Sequence, residues 1–551
     1  MASSGAYATP SPTSDASPSV NSSISNQESL QSDSEDGYNG GEPVESLRLQ
    51  RRESAAEKAV DSEDGDEGEE EYGTWRGRRE SVSTTHSFQL YTPDEEKAVV
   101  KKFDRKLVLF VAFLYMLSFL DRSNIGNAKI AGLDVDLNLD TKKYEWVLLS
   151  FYLAYILFEW MSVLWKIIPA HTYVTGIVLS WGIVASLQSV ATSFAGLIVL
   201  RVLLGIGEAG FTGIPFYLSF FYKREELALR TGYFISAAPL ATTFASTLAW
   251  AIVRISQYCP IAPWRLLFLL EGFPSVIVAG IAWRVIPDSP STANYLTQRE
   301  KKVAHLRLEN NKRVDVPSKG LDLRDMLNTI ADPKSWLTAF MFFGANMAFS
   351  SLPAFLPQII EEMDHSVLMS QALAAPPYLL SFVAVIATAY FSDKYQVRAY
   401  FVMFHALLSA CGYSFIALAG VLGWSTWFRY AGVFPAAIGF FSVITIIITW
   451  TINNQESESK QGTGFAMLQI IGQCGPLVGV TLYPESQAPL YTNGMLSCAM
   501  SMVIVASLAA ILRIYLKGLN RLKTSDDSEY SRIGEEGVGL VKQRTSFTFM
   551  L

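Results

Sequence analysis

Four charged residues inside otherwise apolar segments are the part of this sequence best suited to chemistry. Asp121 and Arg122 are adjacent near the end of one apolar segment, and Arg201 and Glu208 belong to another. Arg201 and Glu208 are seven residues apart, so on a helix they share a face, about 10 Å apart along the axis. That separation argues against an ion pair between them, and each is expected to serve another element. Ionisable groups at membrane depth normally face a cavity or a partner.

Two arginines and two carboxylates beside one apolar cavity favour proton-coupled binding of an anion. A guanidinium group binds carboxylate, sulfonate or sulfate oxygens through paired hydrogen bonds and keeps its charge at any relevant pH. A carboxylate in the same place can gain or lose a proton when its surroundings change. We therefore predict proton coupling by Asp121 and Glu208, and substrate binding by Arg122 and Arg201. The alternative is a fixed structural network of the four charges.

These charges belong to a chain with twelve apolar segments, each long enough to cross a membrane as a helix. The segments are 106–126, 145–165, 172–192, 196–218, 231–253, 265–286, 336–358, 370–391, 400–420, 429–450, 463–483 and 492–514. A polar central loop over 287–335 separates the first six from the last six, which is typical of a two-halved transporter. We predict an all-α integral membrane protein with an N-terminal bundle over 97–286, a C-terminal bundle over 336–516 and a C-terminal tail over 517–551.

The C-terminal bundle offers uncharged polar side chains for contacts with the rest of a ligand. Asn346, Ser442 and Gln473 are the predicted substrate-binding residues, and Asn453 and Asn454 end the tenth segment. For each of these residues the alternative is a hydrogen bond between helices.

Charge is divided unevenly along the 551 residues. Residues 1–96 contain 21 Asp and Glu against 7 Lys and Arg, with few aliphatic residues, which predicts a disordered acidic tail. Residues 1–96 therefore carry a net charge of −14, whereas the whole chain carries −7. Residues 97–551 must then carry about +7, so the rest of the chain is apolar and mildly basic. This distribution excludes a soluble enzyme domain, a secreted disulfide scaffold and a nucleic-acid-binding protein.

Lysine and arginine in the flanks and short loops predict the orientation. If both ends of the chain are cytosolic, that side carries fifteen of these residues and the other side six. Such an excess marks the cytosolic side. We expect cytosolic termini and a plasma-membrane location, with an internal membrane as the alternative.

Short strings spread from Asp104 to Lys517 resemble the anion:cation symporter group of the major facilitator superfamily, in particular its fungal allantoate permeases. The strings are Leu120-Asp121-Arg122-Ser123-Asn124, Arg201…Gly205…Glu208-Ala209-Gly210, Trp264-Arg265…Glu271-Gly272, Pro376-Pro377-Tyr378, Ser392-Asp393-Lys394…Arg398 and Tyr483-Pro484…Ala488-Pro489. The resemblance implies two six-helix bundles with the substrate site between them.

The resemblance also implies roles for individual residues. In related galactonate/proton symporters, the positions matching Asp121, Arg122, Arg201 and Glu208 carry coupling and anion binding. A tyrosine of the second helix lines the cavity there, and Tyr155 is the candidate here, with a core aromatic as the alternative. Asp393, Lys394 and Arg398 resemble the cytosolic gate motif of the superfamily.

The sequence departs from the allantoate permeases near the cavity. Glu159-Trp160-Met161-Ser162-Val163 lacks the proline and asparagine usual at the end of the second segment, and the proline after Glu208 is displaced to Pro215. The Glu-Trp-Met string and Pro239-Leu240-Ala241-Thr242 are more similar to the alternative sulfate and sulfonate permeases of the family. The substrate therefore need not be allantoate.

We expect proton-coupled symport of a small anion, with sulfate, a sulfonate or an organic carboxylate as substrate, by a monomer in the lipid bilayer. Allantoate, nicotinate or another vitamin-type carboxylate is the alternative substrate, and a nutrient sensor with little transport is the alternative class. The sequence contains no nucleotide-binding loop or nucleophile–base set, and its four cysteines lack metal-ligand spacing. We therefore expect no enzyme activity, no cofactor, no metal and no nucleic-acid partner.

Overall fold

The computed structural model describes residues 91–256, 258–309, 323–361, 367–483, 487, 490–536 and 547–551. These described residues form helices and turns and include no β-strand. The chain divides into two compact units, Met1–Arg79 and Glu80–Leu551, and every described residue belongs to the second. The predicted acidic tail therefore lies outside the described residues up to residue 90.

The predicted N-terminal bundle is helical along most of its length. Its α-helices are α1 (Pro93–Phe103), α2 (Leu109–Ala128), α3 (Asp134–Asp136), α4 (Thr141–Phe158), α5 (Ala170–Leu187), α6 (Phe194–Ala209), α7 (Ile214–Leu218), α8 (Leu227–Ser256) and α9 (Pro263–Val285). A 3-10 stretch over Glu159–Lys166 continues α4, and another over Gly210–Gly213 joins α6 to α7.

The second half of the chain continues in the same way. Its α-helices are α10 (Gln298–Glu309), α11 (Leu323–Ala331), α12 (Pro333–Glu361), α13 (Val367–Tyr395), α14 (Ala399–Val421), α15 (Thr426–Asn453), α16 (Glu458–Gly472), α17 (Cys474–Thr481) and α18 (Thr492–Glu536).

Eight helices in the described part of the chain are long and apolar enough to cross a membrane. All twelve predicted segments fall on helices, but four of them, over 106–126, 231–253, 336–358 and 463–483, are not among these eight. Asp121, Arg122 and Asn124 reduce the apolar character of α2, and the eleventh segment is divided between α16 and α17.

Helices extend into each of the regions that the sequence predicts to be polar. Helix α1 begins at Pro93, inside the predicted tail, because Thr92 and Glu95 form a capping box there. The predicted central loop contains α10 and α11, and α18 continues through Glu536, well into the predicted C-terminal tail. Charged residues do not prevent a helix when partners fix it: Arg299 pairs with Glu95 at 2.5 Å, and Lys102 with Glu300 at 2.6 Å.

Close helix packing builds each half. In the N-terminal bundle α5 packs on α9, α4 on α6 and α2 on α8, and in the C-terminal bundle α14 packs on α15 and α18. Gly205 permits the α4–α6 approach, since a Cβ there would lie 2.5 Å from the Phe151 carbonyl oxygen. The two bundles meet where α8 packs on α13 and α15, and where α16 packs on Glu159–Lys166.

Candidate functional site

The structure joins Arg122 of α2 to Glu208 of α6. The Arg122 Nη2 and Nε atoms lie 2.9 and 3.1 Å from the same Glu208 Oε2 atom, and Ser118 Oγ donates to it at 3.1 Å. The second oxygen, Oε1, is buried and has no hydrogen-bond partner among the described residues. The predicted separation of Arg201 from Glu208 agrees with this arrangement, since the partner of Glu208 comes from another helix.

Aromatic rings of α4 hold the Arg122 side chain from the other side. Its guanidinium carbon lies 4.6 Å from the centre of the Tyr155 ring and 5.4 Å from that of Phe151. Tyr155 is buried, and its ring lies beside Arg122, a predicted substrate-binding residue. A guanidinium held by an ion pair and a cation–π contact has a fixed direction.

Arg201 differs from Arg122 in having no ion pair within the described residues. Arg201 is 1% exposed, and its Nε and Nη2 atoms have no hydrogen-bond partner among the described residues. The one cation–π contact is weak, with the guanidinium carbon 5.9 Å from the Phe268 ring centre. Burying a guanidinium without hydrogen bonds is costly, so this side chain is suited to receive an anionic group.

Asp121 also lies in the interior of the N-terminal bundle, and its Oδ2 accepts a hydrogen bond from Ser275 Oγ of α9 at 3.1 Å. The structure thus places Asp121 and Arg122 on different partners, although they are neighbours in sequence. One faces α9 and the other faces α4 and α6, because adjacent residues on a helix point about 100° apart.

Two further buried carboxyl groups were not among the predicted site residues. Glu159 accepts a hydrogen bond from Thr212 at 2.7 Å through Oε2, while its Oε1 has no partner in the described part of the chain. Glu271 of α9 is also buried with Oε1 unpartnered there. The signal for both was available, since each is a carboxylate in or beside an apolar segment.

The predicted polar residues of the C-terminal bundle have different surroundings. Asn346 Nδ2 donates to the Gly472 carbonyl at 3.2 Å, which is the interhelical bond considered as its alternative. Ser442 is fully buried and its Oγ has no partner among the described residues. Gln473 lies between α16 and α17 and is half-buried.

Asp393 and Arg398 join the two bundles at one end of the molecule, which we call the gate face. Asp393 accepts hydrogen bonds from the backbone N–H groups of Ala228 at 3.3 Å and Leu229 at 2.7 Å, at the start of α8. Arg398 Nη2 lies 2.7 Å from Asp393 Oδ1. Lys394 does not take part: it is exposed and forms no ion pair within the described residues, because it projects from another side of α13.

The described residues contain no group of His, Cys, Asp and Glu side chains arranged to hold a metal ion. The interior of the N-terminal bundle offers the buried guanidinium group of Arg201, which is unpaired within the described residues, the partly buried and paired one of Arg122, and four buried carboxyl groups.

Comparisons with known proteins agree with this architecture. The family model described as Major Facilitator Superfamily matches residues 111–480. "MFS transporter prlL" from Fungal sp. (strain NRRL 50135) is 33% identical over 460 residues, covering 81% of this chain and 90% of that protein. "Major facilitator-type transporter hxnP" from Emericella nidulans is 28% identical over 441 residues, covering 79% and 88%.

A solved structure shares the fold at low identity. The proton:xylose symporter XylE, bound to 6-bromo-6-deoxy-D-glucose, is similar with a TM-score of 0.58 and 11% identity, over 76% of this chain and 96% of that chain. The chain belongs to the major facilitator superfamily. It is a multi-pass membrane transporter, and this family is not a family of enzymes.

Proposed function

We propose that this transporter carries a small anion together with protons by alternating access. The observation that supports it best is Arg201, a buried guanidinium whose Nε and Nη2 atoms have no protein partner among the described residues. An anion with two or more oxygens can accept paired hydrogen bonds from such a group.

The surrounding carboxyl groups provide the proton part of the proposal. Two guanidinium groups stand against four carboxyl groups, Asp121, Glu159, Glu208 and Glu271, so full ionisation would leave two uncompensated negative charges. Uncompensated charge at membrane depth is costly. Proton binding to these carboxyl groups lowers that cost and reduces the negative charge that would repel a substrate anion.

The Arg122–Glu208 pair suggests how coupling works. A proton that binds Glu208 from outside weakens the ion pair that fixes Arg122, and the Arg122 side chain, which is 17% exposed, then turns toward the substrate. Arg122 and Arg201 then bind the anion, the two bundles rock, and anion and proton leave on the other side. Asp121 is the second coupling group in this scheme, and Tyr155 orients Arg122.

The family resemblance narrows the substrate. The resemblance to the anion:cation symporter group, in particular to the fungal allantoate permeases, favours sulfate, a sulfonate or an organic carboxylate as substrate, with allantoate and nicotinate as competitors. We further propose twelve membrane spans, a plasma-membrane location, a monomer, and a cytosolic gate face. Asn346, Ser442 and Gln473 remain candidates for contacts with the non-ionic part of the substrate.

The test is uptake of labelled sulfate, taurine, cysteate, allantoate and nicotinate into cells that lack their own anion permeases. Assays at pH 5 and pH 7.5, with and without a protonophore, separate the claims. Uptake of one anion that is faster at pH 5 and abolished by the protonophore supports the proposal. Uptake that is insensitive to both removes proton coupling, and no uptake at confirmed surface expression favours the sensor.

Variants connect that result to the site. Arg201→Ala should abolish uptake at normal surface expression, while the exposed Arg284→Ala on α9 is the matched control and should keep it. Glu208→Gln should still exchange substrate across the membrane but lose accumulation on a pH gradient, with the exposed Glu145→Gln as control. Normal uptake by Arg201→Ala would contradict the binding role, and accumulation by Glu208→Gln would remove that residue from coupling.

A further inference from the structure

The last five residues of the sequence, Phe547–Leu551, bind to the gate face; we call them the latch segment. Two asparagines hold its backbone. Asn454, at the end of α15, accepts from the Met550 N–H at 2.8 Å and donates to the Met550 carbonyl at 3.0 Å. Asn520 of α18 does the same for Phe549, at 2.8 and 2.9 Å. Each amide side chain satisfies both polar groups of one residue, as a neighbouring strand would.

Two further donors fix the end of the segment. The Met550 carbonyl also accepts from Trp450 Nε1 at 2.9 Å, and the Leu551 carbonyl oxygen accepts from the Arg398 N–H at 2.7 Å. Arg398 is the residue immediately before α14 and pairs with Asp393, and we call these two residues the gate pair. Residue Leu551 therefore lies directly beside the gate pair.

Phe549 anchors the segment by its side chain. It is 5% exposed, and the ammonium groups of Lys334 and Lys523 lie 4.9 and 4.6 Å from its ring centre. Thr548, its neighbour, is exposed and contributes only its carbonyl. A buried aromatic side chain between backbone hydrogen bonds is the usual anchor of a bound peptide.

The latch segment also contacts the N-terminal bundle, through Arg224. This arginine donates to the Thr548 carbonyl at 3.2 Å, and its guanidinium carbon lies 4.2 Å from the centre of the Phe547 ring. Arg224 is joined to the C-terminal bundle as well, since it donates to the Asn453 carbonyl and accepts from Asn453 Nδ2 at 3.0 Å. Asn453 in turn donates to the Met550 sulfur at 3.1 Å.

We propose that the latch segment is an internal inhibitory ligand that holds the gate face closed. It is fixed to the C-terminal bundle by Asn454, Asn520 and Trp450, and it binds Arg224 of the N-terminal bundle only while the two bundles are joined. A ligand shifts a conformational equilibrium by its difference in affinity for the two states. The proposal depends on the bundles separating at this face and not on the substrate or the coupling ion.

Release of the latch segment should therefore raise the open fraction by about thirtyfold, which corresponds to the lower end of the range for one hydrogen bond from a charged donor plus one partly exposed cation–π contact. The measurement uses full-length protein with the four native cysteines replaced by serine and a reporter Ser219→Cys. Ser219 belongs to the N-terminal bundle, and its Oγ donates to Oε1 of Gln461 in the C-terminal bundle at 3.5 Å. Its alkylation rate reports opening when closing is faster than alkylation.

Phe549→Ala and a variant lacking residues 547–551 should both be alkylated about thirtyfold faster than the parent. Thr548→Ala is the matched control, because its side chain is exposed, and it should react at the parental rate. A synthetic peptide of residues 547–551 should slow alkylation of the shortened variant. Hydrogen exchange of the Arg398 amide reports separately whether the segment is bound.

Two outcomes would overturn the proposal. The first is an unchanged alkylation rate in Phe549→Ala and the shortened variant, whether or not the Arg398 amide loses protection, since the segment then does not hold the gate. The second is an equal acceleration by Thr548→Ala, which would assign the effect to something other than the bound face of the segment. Neither outcome bears on anion binding or proton coupling, which uptake measures independently.

Discussion

Removal of the Asp393 carboxylate is the sharpest test of how the two bundles are joined. Asp393 belongs to α13 in the C-terminal bundle, yet it accepts hydrogen bonds from the first backbone N–H groups of α8 in the N-terminal bundle. Asp393→Ala removes those two bonds and the ion pair with Arg398, and it leaves the hydrogen bond from Arg398 to Ser392 Oγ in place. Of the three contacts that the substitution removes, only the two bonds to α8 cross between the bundles, so these two set the expected change in the ratio of closed to open protein.

The size of the effect follows from those two bonds. A hydrogen bond to a charged group contributes about 1.5–3 kcal/mol, and a carboxylate at a helix N-terminus adds about 0.3–1 kcal/mol. In the open state water solvates the same N–H groups. We therefore expect Asp393→Ala to favour opening by about 3 kcal/mol, which is about a hundredfold in the ratio of closed to open protein.

Alkylation of Ser219→Cys, as for the latch segment, measures this ratio. Asp393→Ala should react about a hundredfold faster than the parent, and Asp393→Asn about tenfold faster, because an amide still accepts hydrogen bonds but carries no charge. Lys394→Ala is the matched control, since this neighbouring side chain is exposed and outside the gate pair. A rate within twofold of the parent for Asp393→Ala would refute the reasoning.

The remaining predictions concern stability. Gly205→Ala should destabilise the protein by about 1–3 kcal/mol, because the new Cβ would lie 2.5 Å from the Phe151 carbonyl oxygen. Gly176→Ala is the control and should be neutral or slightly stabilising, because the space around Gly176 is open. Equal melting temperatures for the two variants in detergent would contradict this prediction. Burial raises the pKa of Glu456, but hydrogen bonds from Lys523 and Lys460 outweigh it and lower that pKa from 4.5 to about 2. A lowered folded-state pKa stabilises above the unfolded value and loses that effect toward pH 2. The melting-temperature difference between wild type and Glu456→Gln should therefore be constant from pH 7 to pH 5 and shrink below 4.5; shrinkage already at pH 6 would contradict the assignment.

The helical architecture could be predicted because it depends on local properties of the chain. All twelve apolar segments fall on helices. They could be predicted because the length and hydrophobicity of a segment are read directly from its residues. Eight of the twelve satisfy the length and hydropathy expected of a spanning helix. The polar regions were less predictable, because α1 and α10 are fixed to each other by ion pairs across about two hundred residues of sequence.

The sequence predicted which residues belong to the candidate site but not which of them contact each other. Charges within apolar segments pointed to Asp121, Arg122, Arg201 and Glu208, and all four are buried or nearly buried. Which arginine is paired was not readable, since Arg122 meets Glu208 only through the packing of α2 against α6. The sequence also suggested Asn453 and Asn454 for ligand contacts, whereas Asn454 holds the latch segment.

Residue type and spacing are sufficient to predict that this chain is a helical membrane protein with ionisable groups inside its apolar segments, because both properties are local. Helix packing determines that Arg201 has no ion pair and that its Nε and Nη2 atoms have no hydrogen-bond partner among the described residues. It also determines that Lys394 is outside the Asp393–Arg398 contact and that the latch segment reaches Arg224. The physical reason is that a hydrogen bond or ion pair requires two groups within about 3 Å. Residues far apart in sequence reach that distance only when the helices that carry them are packed.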